Sequence, residues 1–456
     1  MNTPVENISN KKMNQIFFFG FVLFAVLFYG IVFVLGGFDK YRDGKGWLLR
    51  ISRDFVYIFL LTFLLKKTFF HKSFSIPTEY SRFIKTFFIL MGVYLILVLI
   101  HLTNKSPLEI AHHEVRNINL YSLFLPFLPI LLTNNRDIFC LVKTLLAIGV
   151  LEALFGVITY FLPFKQMTLN GRVMGTLGDP NNYAVFLTLC MLLTAALWDK
   201  FKTLKAVLLF AVYLPAFIFA NSITGLVTLI CGLFIVFLFK KGFLKALLLS
   251  AVFLYLITSF SWINKQFTQP RYTLFEYSDR YLIFKINVVT YGKFQEIFYL
   301  GLGEESLDRE LKVLEFFKSS AWRTKKKRVE MYTSLLDYSA KKSIGKLLLG
   351  DFTAEQYKKT DSQYINFLEN TGIASALIFI FIFVNGAYQG LKTYKKHGSA
   401  ITLALAAFII SMVSVAFLGA AFLNRFPINF FLYLSLGIIF LEKDRIIKVA
   451  DEAAKV

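Results

Sequence analysis

The sequence predicts an all-α, polytopic membrane protein of about twelve transmembrane helices with a large helical extracytoplasmic loop, and three observations carry that prediction. Apolar residues make up 56% of the chain and the mean hydropathy is +0.59, against roughly 45–50% apolar residues in a soluble domain. Apolar stretches near the length of about 20 residues that a helix needs to cross a bilayer recur from one end of the chain to the other. The basic residues sit mostly in the short connectors between those stretches, where they report topology. The first two observations exclude a soluble enzyme. The third accounts for 50 Lys and Arg against 29 Asp and Glu without a nucleic-acid partner.

The expected spans are 15–36, 47–65, 83–102, 117–133, 138–162, 181–198, 204–220, 222–240, 242–260, 368–391, 399–421 and 427–441. The first follows Lys11 and Lys12 and is too long for a signal-peptide core, so it is expected to stay as a membrane helix. With the N-terminus inside, the cytoplasmic set carries Lys11, Lys12, Lys66, Lys67, Lys72, Arg82, Lys85, Arg136, Lys200, Lys202, Lys205, Lys240, Lys241, Lys245, Lys392, Lys395 and Lys396, plus the basic C-terminal tail. The opposite set carries only Lys40, Arg42, Lys45, Lys105, Arg116, Lys165, Arg172 and Arg425. Short loops enriched in Lys and Arg stay in the cytoplasm, so both termini are expected there. Residues 1–260 then hold helices one to nine, 261–367 form the extracytoplasmic loop, 368–441 hold the last three helices, and 442–456 form a cytoplasmic tail. Cys140, Cys190 and Cys231 all fall inside apolar spans, which reads as core packing rather than as an exported disulfide framework.

Two loops are thereby placed outside. The long one contains amphipathic stretches at 305–318 and 329–340 that read as helices, and a basic run at 323–328. That run suits either a solvated loop face or attraction to anionic lipid or a pyrophosphate. The other loop ends in a segment dense in Gly, Asp, Pro and Asn at 170–184. There Asp179 suits an N-cap, Pro180 a first helical position, and Gly175 and Gly178 positive φ, all signs of a re-entry turn. Arg172 adds a cation at the same membrane face. Arg271 and Arg280 lie in the long loop, and Asp361 stands just before the tenth span, where an N-cap or a general base at the water interface both fit. Arg425, with Asn424 and Pro427, either joins this cluster or marks a helix boundary.

Two motifs in this order resemble the O-antigen ligase and polymerase superfamily, the Wzy-type oligosaccharide polymerases and their lipopolysaccharide ligase cousins. Gly-Arg-x-x-Gly-Thr-x-Gly-x-Pro-Asn at 171–181 is similar to the family's signature loop between two central helices. The ligase branch has His, then Asn, Ser or Gln, then nine residues, then Gly-x-x-Gly. Asp361, Ser362 and Gly372 match that spacing, with Asp361 in place of the His and Ser375 in place of the last Gly. The acid in place of His looks more like a polymerase than a ligase. The resemblance spans about 160–440.

The resemblance implies a GT-C-like membrane glycosyltransferase that joins undecaprenyl-pyrophosphate-linked oligosaccharides on the outer side of a bacterial inner membrane. It implies no cofactor, and the chain has no Asp-x-Asp motif of the kind that holds a divalent metal on a nucleotide diphosphate. Arginines suit a pyrophosphate leaving group, because guanidinium forks bind phosphate oxygens bidentately. Arg172 and Arg280 are the expected leaving-group residues and Asp361 the expected base. Arg271, Arg425, Asn181 and Tyr364 are expected to bind substrate, Tyr364 by stacking on a sugar ring. Expected partners are the lipid-linked oligosaccharide, membrane lipid and a chain-length regulator. The alternatives are ligation of finished glycan onto a lipid A core, and a flippase or other transporter. A transporter calls for ionisable groups near the midplane and an internal repeat; Glu152 in the fifth span is the main group of that sort. His112, His113 and Glu114 are adjacent ligands that do not by themselves close a metal shell, and read as solvent-exposed.

Overall fold

The computed structural model describes residues 78–100, 135–161, 168–169, 172–177, 179–201, 203–267, 344–349, 372–416 and 428–453. Long runs of Leu, Ile, Phe and Val have no water to satisfy their backbone, and the helix satisfies it within the segment. The helices are α1 Thr78–Ile100, α2 Asn135–Phe161, α3 Pro180–Ala196, α4 Thr203–Ala220, α5 Ile223–Lys241 and α6 Phe243–Phe267. They continue with α7 Ile344–Leu349, α8 Gly372–His397, α9 Ala400–Ala416 and α10 Ile428–Ala453. Two short antiparallel strands, β1 Thr168–Leu169 and β2 Arg172–Val173, precede α3, with Leu169 opposite Arg172.

Apart from the short α7, each helix lies on an expected span. The spans 15–36, 47–65 and 117–133 and the loop helices 305–318 and 329–340 lie outside the described residues. Among the described residues four helical segments are long and apolar enough to cross a membrane: Leu141–Tyr160, Thr203–Ala220, Thr224–Lys241 and Gly372–His397. Pro180–Ala196, Phe243–Tyr255 and Ala400–Ala416 are apolar but shorter. The chain is thus an all-α membrane protein in its described part. The last helix departs most from expectation, since α10 runs well past 441 into the stretch read as a tail. Asp444 accepts a hydrogen bond from the Tyr80 backbone N–H, and Arg445 pairs with Glu442 at 2.9 Å. The first contact docks the polar extension on α1, and the second is an i,i+3 pair within the extension itself.

α3 sits at the centre. All of its residues except Asn181 are buried, and it packs on α2, α4, α5 and α9. α9, also buried on nearly every side, packs on α3, α5, α8 and α10. Small residues set the spacing of the outer pairs. A Cβ at Gly386 would overlap the Leu436 side chain, and one at Gly390 would lie 2.9 Å from Ala406 Cβ and 3.0 Å from the Thr402 carbonyl oxygen. Two glycines four apart on α8 therefore let α9 and α10 approach closely, the small-xxx-small logic of helices in lipid. Aromatic pairs fasten α10 to its neighbours, with Phe83 stacked on Phe440 at 4.0 Å and Phe186 on Phe431 at 4.7 Å.

The outward faces are apolar too. Leu377, Phe381, Val384 and Tyr388 form an exposed stripe along α8, and Leu151, Leu154 and Ile158 one along α2. Helices whose inner and outer faces are both apolar are made for lipid rather than water. Of the cysteines, Cys190 is buried in the core as expected, while Cys231 is only half-buried, and both are free thiols. The Cys140 side chain lies outside the described residues.

Candidate functional site

The 172–181 segment reaches the bundle through the turn that the sequence anticipates. Asp179 adopts extended backbone, φ −150°, and its carboxylate accepts from the Asn181 and Asn182 N–H groups at 2.7 and 3.2 Å, with Pro180 at the start of α3. Gly175 has φ +55°, a conformation that costs a residue without Cβ little. A side chain there would also strike the Tyr183 ring and the Glu152 carboxylate. Gly178 lies outside the described residues.

Beneath the turn is a bond set that the sequence reading did not anticipate. Glu152 of α2 is 2% exposed; its carboxylate accepts from the Thr176 N–H at 3.0 Å and from the Thr176 hydroxyl. Tyr183 of α3 donates to the Glu152 carbonyl oxygen at 2.8 Å, at a place where Gly156 leaves room for the phenol. The acid therefore ties the turn to α2 and α3.

Arg172 and Asn181, both expected in the site, are brought together. Arg172 Nε donates to the Ala220 carbonyl oxygen at 3.1 Å, and its Nη2 donates to Asn181 Oδ1 at 3.2 Å. Ser222 Oγ donates to the same amide oxygen at 2.8 Å and accepts from the Gly225 N–H at 3.1 Å as the N-cap of α5. The guanidinium is thus gripped where the C-terminus of α4 meets the N-termini of α3 and α5. A helix C-terminal carbonyl and a shared amide oxygen draw the cation in, and two N-terminal dipoles lend the same corner a positive field near any anion. Asp179 answers part of that field on α3. Tyr160 stacks on Phe219 at 4.0 Å, closing the ends of α2 and α4 beside this corner.

Asn181 was expected to touch substrate; its side-chain oxygen accepts from Arg172 and Ser222. Ser222 was missed, although Asn221-Ser222 between two apolar spans is a readable N-cap signal. The β1–β2 pairing was missed as well: its register leaves two residues between the strands, Asn170-Gly171 in the sequence, a dipeptide strongly associated with two-residue hairpins. Asp361, Arg280, Arg271, Arg425 and Tyr364 lie outside the described residues, as do His112, His113 and Glu114. Among the described residues no group of three His, Cys, Asp or Glu is arranged to hold a metal ion.

At the opposite end of the bundle the Lys-rich short connectors among the described residues meet one another. Lys240 pairs with Asp199 at 2.6 Å and donates to the Ala196 carbonyl oxygen at 3.0 Å, joining the ends of α3 and α5. Ser399 donates to the Glu442 carboxylate at 3.1 Å, joining α9 to α10. The Lys240 hydrogen bond holds the Asp199 carboxyl below its usual range.

Comparison with known proteins adds no relative: no family model, no curated protein and no solved structure matches the chain.

Proposed function

We propose that this protein is a membrane glycosyltransferase that polymerises undecaprenyl-pyrophosphate-linked oligosaccharide units on the outer side of a bacterial inner membrane. The observation that supports it most is the fixed guanidinium of Arg172, held by a backbone carbonyl and a side-chain amide at the corner of three helices. In this reading the attacking sugar hydroxyl forms a bond to the anomeric carbon of the lipid-linked donor. The bond from that carbon to the pyrophosphate oxygen breaks, and the hydroxyl proton passes to Asp361. Charge gathers on the departing pyrophosphate, where a preorganised guanidinium acts most strongly because it needs no reorganisation during the reaction. Arg172 takes that role together with Arg280, and Arg271, Arg425 and Tyr364 hold the glycan. The cationic connectors are cytoplasmic and the Arg172 corner faces out, as the distribution of Lys and Arg over the short loops supports.

The test is elongation of a purified lipid-linked repeat unit by the reconstituted protein, resolved on a gel. Wild type is expected to give a ladder, and folded Arg172→Ala, Arg280→Ala and Asp361→Asn are expected to give none. Transfer to a lipid A core acceptor without a ladder would make the protein a ligase instead. No product in either assay would sink the glycosyltransferase reading.

A further inference from the structure

We infer that the cationic end of the bundle carries a binding site for an anionic phospholipid in the cleft between α5 and α8. A cavity of about 480 Å³ opens there, lined by Leu238, Phe239, Tyr394, Lys395 and Gly398. Phe239 and Tyr394 meet edge to face at 6.2 Å and form its aromatic wall. Both helices end beside it: Gly242 closes α5 with φ +86°, and Gly398 closes α8 with φ +70° and an N–H bond to the Tyr394 carbonyl at 2.7 Å.

Charge decides what such a cleft takes. Two helix C-termini are mildly repulsive to an anion, so the cations must outweigh them. Asp199 occupies Lys240, whereas Lys241, Lys395, Lys396 and His397 are exposed on the last turns of the same two helices. Of the acids near it among the described residues, Asp199 pairs with Lys240 and one oxygen of Glu442 takes both Ser399 and Arg445. The balance at the cleft is positive. A soluble anion would use the lysines and waste the remainder of the lining, since Leu238 and Phe239 are apolar. The chain then turns into α6, whose Phe243, Leu244, Leu247 and Leu248 are exposed. A phosphate on the lysines with acyl chains along those side chains uses both halves. Basic pockets between membrane helices on the cytoplasmic side suit anionic headgroups for this reason.

This inference does not depend on the glycosyltransferase reading, and its test needs no catalysis. The full chain is purified in detergent, titrated with phosphatidylglycerol, cardiolipin or phosphatidylcholine, and scored by native mass spectrometry for retained lipid. Wild type is expected to retain the anionic lipids over phosphatidylcholine. Lys395→Gln and Lys241→Gln are expected to lower retention by about fivefold each, the worth of one basic residue at an anionic surface. Lys395→Arg should restore it. Lys205→Gln removes one exposed charge from the first turn of α4 at the same end, away from the cleft, and should leave retention unchanged. Equal losses in Lys205→Gln, equal retention of phosphatidylcholine, or displacement of the lipid by millimolar inorganic phosphate would each overturn the proposal. Unfolding midpoints of the variants separate lost binding from lost fold.

Discussion

The two ends of the helix bundle hold charge in different ways. At the Arg172 end the partners are short and mostly backbone: the Ala220 carbonyl, the amide of Asn181, the Thr176 N–H on Glu152, and the N–H groups capped by Asp179 and Ser222. At the other end long side chains reach across connectors, as Lys240 does to Asp199, and most of the cations face out. Short bonds to backbone leave a charged group one place to be, which suits chemistry that needs a fixed cation. Long exposed side chains give a screened, adaptable field, which suits topology and lipid contact. Among the described residues the positive groups are more numerous at one end and better held at the other.

The largest effect expected from breaking this contrast is on activity at the fixed end. Arg172→Lys keeps the charge but loses the fork that reaches Ala220 and Asn181 together, so ladder formation should fall by roughly 10²-fold or more. Asn181→Ala, which removes only the positioning contact, should cost about tenfold less than that. If Arg172→Lys elongates at the wild-type rate, the fixed geometry has no catalytic value and the comparison loses its point.

Next comes stability at the same end. Glu152→Ala orphans the Thr176 N–H within the core and should cost about 2–3 kcal/mol, while Glu152→Gln keeps an acceptor and should cost less. Thermal unfolding in one detergent reads both, and equal midpoints would mean that Glu152 does not pin the turn. Asp179→Ala loses the α3 cap and should cost about 1 kcal/mol. Asp179→Ser, which keeps a capping oxygen, should recover most of it in the same assay.

The smallest effect belongs to the loosely held end. Asp199 has a lowered pKa in the folded protein, so its contribution to stability is present above the ordinary carboxylate range and fades as pH falls through the lowered value. The carboxylate is mostly exposed, so screening keeps the contribution below about 1 kcal/mol. Asp199→Asn should match wild type within that margin at neutral pH and lose the corresponding part of the acid dependence. A larger drop at neutral pH would show the cationic end to be held as firmly as the other.

Much of the fold is legible because hydropathy acts locally. Nine of the expected spans coincide with helices, for a run of apolar residues in lipid has little choice but the helix. The Asp179-Pro180 entry was readable for the same reason, since a cap bonds to its own first turn. The polar extension of α10 was not, because its helix rests on Tyr80 and on the Glu442–Arg445 pair rather than on hydropathy. In the candidate site, Arg172 and Asn181 stood out as polar residues in a glycine-rich turn. Ser222 and the Ala220 carbonyl did not, being a further 41 residues along the chain in one case and backbone in the other.

By itself the sequence determined that the described part is a helical membrane protein, where nine of its helices lie, and which connectors are cationic. Those properties depend on side-chain chemistry within one or two turns. Tertiary structure alone decided that α3 is the central helix, that Glu152 closes on Thr176, and that Arg172 is gripped between α3, α4 and α5. It also decided that the C-terminal ends of α5 and α8 line one cleft. Each of these joins residues far apart in sequence, and helices that are apolar on every face carry no local signal of which face meets which neighbour. Close packing at glycines and a few buried hydrogen bonds make that choice.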